Sequence, residues 1–423
     1  MTRARVVPGV LNGTVRAPPS KSYTHRALVA GHLSGHRYAI ERPLDADDTR
    51  ATARALDALG SRVRISPRRW TVSPRRGPLA DPVSVECEES GTTLRFIAAV
   101  AARSGTTVRL RGRGRLPARP IAELLQALRS LGARCERPRG ARRLPLVVRG
   151  PLHAGVVRLD ASRSSQFVSA LLLTLPTVSG NSTVDLVGTI VSEPYIEATQ
   201  QILRYHHVRV RRRRRRFSIP GGQSYRGRGI SVPGDASSAA YLWTAAAITG
   251  GRVRVTGVPS NWPQADLAVL DLLRSAGAVV RRSSDGATVE GGTLRAFRAD
   301  LTRSPDLYPL AGVLASSIDG QSRVLGAPHV VHKESDRRRG TIALSRALGA
   351  EVRGERNGLA IRGTARPTRF HLRGLDDHRL VMSAAVGALV GDGPSTIEDA
   401  RAVDKSFPAF WSVLAGLRSE VVR

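Results

Sequence analysis

The sequence predicts an α/β protein of two domains, built from six related units with three in each domain. A repeating phrase, the balance of apolar residues and two Pro/Gly-rich crossings carry that prediction. The 423 residues suffice for at least two cores, because domains commonly run to about 100–200 residues. Apolar residues make up 41% and aromatic residues only 4%, which fits an ordinary α/β chain and argues against disorder.

The phrase is an apolar helix end, a glycine, a short polar step and an apolar strand. Its copies read ALDALGSRVRI, LLQALRSLGARC, QILRYHHVRV, LDLLRSAGAVV, ALSRALGAEV and VLAGLRSEVV. With Gly60, Gly132, His207, Gly277, Gly349 and Ser419 as equivalent positions, the spacings are 72, 75, 70, 72 and 70. Leucines three or four apart before each position form a helical stripe. Glycine then closes the helix in the left-handed conformation it adopts cheaply, and the alternating residues beyond it read as a strand. His207 and Ser419 depart from glycine. Units of this size exceed solenoid repeats of roughly 20–50 residues, so compact bundling is expected. Ala17-Pro18-Pro19 and the stretch Gly221–Asp235 are where the chain changes domain. The expected division is an inserted domain, 18–232, and a discontinuous one, 1–17 plus 233–423.

The formal charge of +32 draws anions, either small phosphorylated substrates or larger polyanions. Of 66 basic residues only Lys21, Lys333 and Lys405 are lysines. Arginine is a fixed planar fork, whereas lysine is a compact charge with a tunable pKa. A lysine kept among arginines marks a place where a fork does not serve. Cys87 and Cys135 give neither a disulfide framework nor a CxxC spacing. The opening MTRARVVPGVLNG lacks a signal-like apolar core, and no apolar run approaches a membrane span. The expectation is a soluble, cytoplasmic protein with no membrane partner.

Several short segments carry chemistry. SKSYTHR puts Lys21, Ser22 and Arg26 near a helix start, where exposed amides and the helix dipole favour an anion. In ESGTTLR, Gly91 lets backbone approach a phosphate closely, beside the hydroxyls of Thr92 and Thr93. SRSSQ offers Ser164, Ser165 and Gln166 as neutral donors. Lys333, Glu334 and Arg337 lie within five residues, so one helical turn can present both cations on one face. Asp306 follows a proline in SPDLYP, and DDHR and DKSFP add Arg379 and Lys405.

These segments resemble the enolpyruvyl transferases, and within them the EPSP synthase (3-phosphoshikimate 1-carboxyvinyltransferase) family. PPSKSYTHRAL is similar to that family's opening signature. ESGTTLRF, LPARPI, SRSSQFVSALL, SEPYIE, GGQSY, GDASSAAY, SPDLYP, HKESDR, DDHR and DKSFP follow in the family's order and at similar spacing. The resemblance covers nearly the whole chain. It implies the two-domain enolpyruvyl transferase fold, an inside-out α/β barrel of six βαβαββ-type units, with the active site in the interdomain cleft. It further implies transfer of the enolpyruvyl group of phosphoenolpyruvate to the 5-hydroxyl of shikimate 3-phosphate, on the route to aromatic amino acids. The chemistry passes through a tetrahedral adduct and needs no metal or organic cofactor.

By the same resemblance, Lys21, Ser22, Arg26, Ser164, Ser165, Gln166, Ser192, Asp306 and Lys333 contact shikimate 3-phosphate. Lys21, Gly91, Arg119, Gln166, Arg337, Arg379 and Lys405 contact phosphoenolpyruvate. Asp306 is the base for the 5-hydroxyl proton, Glu334 the acid that protonates the methylene carbon, and Lys21 the cation shared by both substrates. Two carboxylates with opposite roles need their pKa values pushed apart.

Three features depart from the family pattern. Glu89 stands where asparagine is usual, placing a possible negative charge near phosphoenolpyruvate. His329 also replaces a frequent asparagine, and an arginine run occupies Arg211–Arg216. That run reads as a solvated hairpin, with nucleic-acid binding as the alternative. The sister enzyme acting on UDP-N-acetylglucosamine is a second alternative. It usually carries Lys-Asn in the first motif and a loop cysteine; this chain has Lys21-Ser22, and Cys135 sits at a helix–strand junction. A monomer working on small anionic substrates is the expected form.

The retained lysine is directly testable. Lys21→Arg keeps the charge but changes its shape, and turnover is expected to fall by about tenfold or more in steady-state kinetics. Near-normal turnover would contradict the reason given for lysine there.

Overall fold

The recurring helix end adopts one backbone conformation at five of its six sites. In this computed structural model, which describes residues 2–418 except 76, 139, 141 and 142, Gly60, Gly132, Gly277 and Gly349 have φ of +95°, +94°, +103° and +87°. His207 takes φ +57°, although a side chain in that region costs about 1–2 kcal/mol. Ser419, in the sixth copy, lies outside the described residues.

Beyond each of these turns the chain forms a hairpin that joins a small sheet. Among the described residues the strands make six sheets, five of four strands and one of three. The four-stranded sheets share one plan. Val83–Glu86 runs parallel to Val108–Arg111, which pairs antiparallel with Leu146–Arg149, which in turn pairs with Arg134–Glu136. The parallel edge beside Tyr38–Glu41 is Gly229–Ser231, and the edge beside Arg252–Thr256 is Asn12–Arg16. In the three-stranded sheet Arg3–Val6 pairs with Ser395–Glu398, which runs parallel to His371–Leu372. Both N-terminal strands thus pair with strands that follow residue 233.

Two compact units result, one of Met1–Pro18 with Gly234–Arg423 and the other of Pro19–Pro233. In the second, the helices Lys21–Ser34, Gly91–Arg103 and Ser165–Thr174 pack on one another. In the first, the corresponding set is Ala236–Thr249, Tyr308–Ser316 and His378–Ala388. Every residue of the last two helices is buried. A helix that is apolar all round belongs inside, surrounded by other elements rather than lying on a surface. Trp243 is fully buried in this core and donates from its Nε1–H to the Ala287 carbonyl at 3.0 Å. Among the described residues no helix is long and apolar enough to cross a membrane.

The arginine run forms the hairpin expected of it, with strands Arg211–Arg213 and Arg216–Ile219 paired antiparallel. Arg216 grips Asp185 with two bonds of 2.7 and 3.0 Å. Arg212 pairs with Glu193 and stacks 5.3 Å from the Phe217 ring centroid. Much of the run is therefore tied into its own sheet.

Candidate active site

In the unit Pro19–Pro233, the three central helices begin with serine caps. Ser90 Oγ accepts from the Thr93 amide and Ser164 Oγ from the Gln166 amide, while Ser20 stands at the cap of the Lys21 helix. None of these helices has an acidic residue in its first turn, so their amide dipoles are not offset by a local carboxylate there. Lys21, the first residue of its helix, reaches Asp48 Oδ2 with Nζ at 3.0 Å. Thr93 Oγ1 donates to the Asp48 carbonyl at 3.3 Å and links this pair to the start of the Gly91 helix.

Gly91 carries the Arg119 guanidinium on its bare Cα. A Cβ built there would lie 2.6 Å from Arg119 Cζ and 2.7 Å from Nη1. The bare Cα thus lets the Arg119 guanidinium lie directly against the start of this helix. Gln166 donates from Nε2 to Thr92 Oγ1 at 2.9 Å and accepts from Arg95. Lys21, Gly91, Arg119, Gln166 and the serines Ser164 and Ser165 thus all lie at, or directly against, the first turns of the three helices. Ser192 caps a fourth helix, Glu193–Tyr205, in the left-handed region at φ +54°. A non-glycine residue there stores strain of about 1–3 kcal/mol.

Arg26 is held differently from an open fork. It is 2% exposed, and its guanidinium donates to Thr199 Oγ1 at 2.8 Å, to Ser169 Oγ, and to the Ser22 and Tyr195 carbonyls. It also lies 5.5 Å from the Phe96 ring centroid. These contacts stitch the Ser192 helix to the other three, and leave little of the guanidinium for a ligand.

In the unit Met1–Pro18 with Gly234–Arg423, the helix starts are acidic and the acids are covered by cations. Asp306 sits in the turn just before the Tyr308 helix. Its Oδ1 meets Arg337 Nη1 at 2.7 Å and Lys333 Nζ at 3.4 Å, and its Oδ2 meets Arg379 Nη2 at 3.0 Å. Arg337 also donates to Glu334 at 2.7 Å and to Asp377, the cap of the His378 helix, at 2.8 Å. The side chain of Arg337 is only 1% exposed, whereas Lys333, Glu334 and Asp306 are 22%, 16% and 14% exposed. Lys333, Glu334 and Asp306 thus keep part of their surface open to solvent. Arg337 is covered by its three carboxylate partners. Lys405 ends the turn Ala400–Lys405, which packs on the helix bearing Arg379.

Burial pushes the Asp306 carboxyl upward, but Arg379, Lys333 and Arg337 outweigh it and hold it well below the ordinary range. Burial also raises Asp377, and Arg337 and His378 reverse that to a lowered value. Asp266 goes the other way. It is 1% exposed, burial is the largest effect, and Arg379 at 3.7 Å is too distant to compensate, so it rises to about 6. Ser237 donates to it, yet Oδ1 has no hydrogen-bond partner among the described residues. His329, beside this cluster, is driven down to about 3, chiefly by burial and then by Lys333. It is neutral near pH 7. Glu89, the other unexpected residue, lays its carboxylate over Gly114, where a Cβ would overlap it.

Sequence reasoning missed Asp48, Arg95, Asp266 and Asp377 as members of these clusters. Asp377 lies inside the DDHR block and Arg95 inside ESGTTLRF, so both were within reach of the motifs. Asp48 and Asp266 sit outside every motif, and only three-dimensional contacts bring them in.

Comparison with known proteins places the chain as a whole. The sequence model of EPSP synthase (3-phosphoshikimate 1-carboxyvinyltransferase) matches residues 7–414. The chain belongs to the EPSP synthase family. A 3-phosphoshikimate 1-carboxyvinyltransferase from Methanothrix thermoacetophila is 40% identical over 414 residues, covering 97% of both chains. One from Methanocella arvoryzae is 38% identical over 422 residues, covering 99% of each. An EPSP synthase structure from Acinetobacter baumannii superposes with a TM-score of 0.82 over 99% of this chain and 98% of the other, at 23% identity. That likeness establishes a shared α/β fold.

Within this family member, Asp266 makes stability depend on pH. Its folded pKa, about 6, lies above the ordinary 3.8, so its contribution is intact below 3.8 and is lost as pH rises through 6. Asp266→Asn cannot ionise. It is expected to gain about 3 kcal/mol relative to the parent between acidic and mildly alkaline pH, read by denaturant unfolding at pH 4 and pH 8. An equal difference at the two pH values would contradict the assignment.

Proposed function

We propose that this chain transfers the enolpyruvyl group of phosphoenolpyruvate to the 5-hydroxyl of shikimate 3-phosphate, giving 5-enolpyruvylshikimate 3-phosphate and phosphate. The observation that carries the reading is Asp306, one carboxylate on which Lys333, Arg337 and Arg379 converge, with Glu334 bound to the same Arg337. We further read the six sheets as the six βαβαββ-type units of an inside-out α/β barrel. In that reading 1–17 plus 233–423 and 18–232 are its domains, and residues of both act on one pair of substrates.

The chemistry follows from the charges. In the free protein three cations keep Asp306 ionised but weakly basic. Both substrates are polyanions, and their phosphate and carboxylate oxygens compete with Asp306 for those cations. As a cation turns to the substrate, Asp306 loses stabilisation of its charged form and becomes a better base. It takes the 5-hydroxyl proton as the oxygen bonds to C2 of phosphoenolpyruvate. The C2–C3 electron pair takes a proton from Glu334, which gives the tetrahedral adduct. Loss of a methyl proton to the Glu334 carboxylate restores the double bond as the C2–O bond to phosphate breaks. Lys21, Arg119, Arg379 and Lys405 hold the anionic groups, while Ser164, Ser165, Gln166 and Ser192 orient the ring with neutral bonds.

Phosphate release measured with phosphoenolpyruvate and shikimate 3-phosphate tests the reading. Release with UDP-N-acetylglucosamine alone would replace it by the sister activity. Asp306→Asn is expected to lower kcat by about 10²–10⁴-fold, with substrate affinity kept or tightened because a competing carboxylate charge is gone. Unchanged kcat in a folded variant would remove Asp306 from its role.

A further inference from the structure

Away from the residues assigned to catalysis, the unit Pro19–Pro233 carries a groove of about 1140 Å³. Its wall is formed by the C-terminal part of the helix Glu193–Tyr205, the turn that follows, and the segment Pro220–Arg226. Ser192 caps the opposite end of that helix, about 18 Å from Arg204 at 1.5 Å per residue. Arg204, Arg209, Arg211, Arg226 and His207 line the groove and are exposed, and no acidic residue lines it. Arg209, Arg211 and Arg226 form no ion pair among the described residues. This sets them apart from their neighbours Arg212 and Arg216, which are each matched to a carboxylate.

His207 adds an independent observation. At the equivalent position four other units carry glycine, and all five residues are left-handed. This unit alone among the five keeps a side chain in a conformation that disfavours one, and the residue that bears it lines the groove. Strain retained at one member of a repeat points to a use for the side chain. Gln223 braces the same wall, accepting from the Arg209 amide at 2.7 Å and donating to the Arg209 carbonyl at 2.9 Å.

We propose that this groove is a second anion site, built for a compact ligand carrying several linked phosphates. Four guanidinium forks with no carboxylate among them suit adjacent phosphate groups, which accept paired N–H bonds from each fork. A bound anion relieves the part of their mutual repulsion that solvent and salt leave unscreened. At about 1140 Å³ the groove is slightly larger than the roughly 300–1,000 Å³ usual for ligand pockets, so a small ligand fits with room for solvent. Apart from the His207 imidazole the lining contains no aromatic ring, so successive nucleobases of a strand have no row of platforms to stack on, which favours a phosphate chain over a nucleic-acid strand.

Calorimetric titration at physiological salt, on a turnover-deficient Glu334→Gln background with both shikimate 3-phosphate and phosphoenolpyruvate present to occupy the residues assigned to catalysis, tests the site with inorganic tripolyphosphate and with ATP. Arg209→Ser/Arg226→Ser is expected to weaken binding by about tenfold or more while leaving turnover unchanged when made in the parent chain. Arg62→Ser/Arg64→Ser removes the same charge from an exposed strand and is expected to leave binding within about twofold. Equal binding of both probes assigns the bare phosphate chain as the ligand; tighter ATP binding assigns a nucleoside triphosphate. His207→Gly separates a functional from a structural role. It should raise the melting temperature by about 2 °C as strain is released, and weaken binding severalfold. Equal loss in both double variants, no saturable binding of either probe, or tighter binding of an oligonucleotide than of tripolyphosphate would overturn the proposal.

Discussion

A helix buried on every side has one place for polar chemistry, its end. Six helices of this chain are of that kind, three in each compact unit, and the residues assigned to catalysis gather at or beside their first turns. The apolar packing that removes those helices from water also fixes where their amides and capping side chains point. Lys21, Gly91, Ser165, Asp306 and Arg379 all lie in or next to such a first turn.

The two units use their helix starts in opposite ways. One caps them with serines and leaves the positive ends of the dipoles uncompensated apart from Asp48 on Lys21. The other places Asp235, Asp306 and Asp377 there, and covers Asp306 and Asp377 with Lys333, Arg337 and Arg379. In a chain with 66 basic and 34 acidic residues, carboxylates are the scarcer charge. Concentrating them around Arg337 keeps a 1%-exposed guanidinium from being an uncompensated buried ion, a state that costs several kcal/mol. The cluster's charges are matched within the protein itself, and in the proposed reading its cations are already positioned for an arriving anion.

Much of this was legible in the sequence because it rests on local constraints. A helix that must reverse into a strand needs a left-handed residue, so the repeating glycine showed at 60, 132, 277 and 349. Motif residues such as Asp306, Lys333 and Arg337 fall close together because two short turns carry them all. Burial was not legible. Nothing in THR distinguishes an Arg26 that ties helices together from one that faces solvent, and nothing marks Asp48 or Asp266 as partners of distant cations. Pairings across tens or hundreds of residues are set by packing and have no local spacing. The arginine run shows the same limit. Its sequence is uniform, yet the hairpin ties Arg212 and Arg216 to carboxylates and leaves Arg211 beside a groove.

The central claim is that Asp306 is held ionised by cations which the substrates then draw away. Carboxyl carbon NMR, with the Asp306 signal assigned by comparison with Asp306→Asn, measures this directly. The account predicts that Asp306 titrates well below the ordinary carboxylate range in the free protein and moves upward when shikimate 3-phosphate and phosphoenolpyruvate are bound to a turnover-deficient Glu334→Gln variant. An Asp306 pKa that is ordinary in the free protein, or that does not rise on binding, would contradict it.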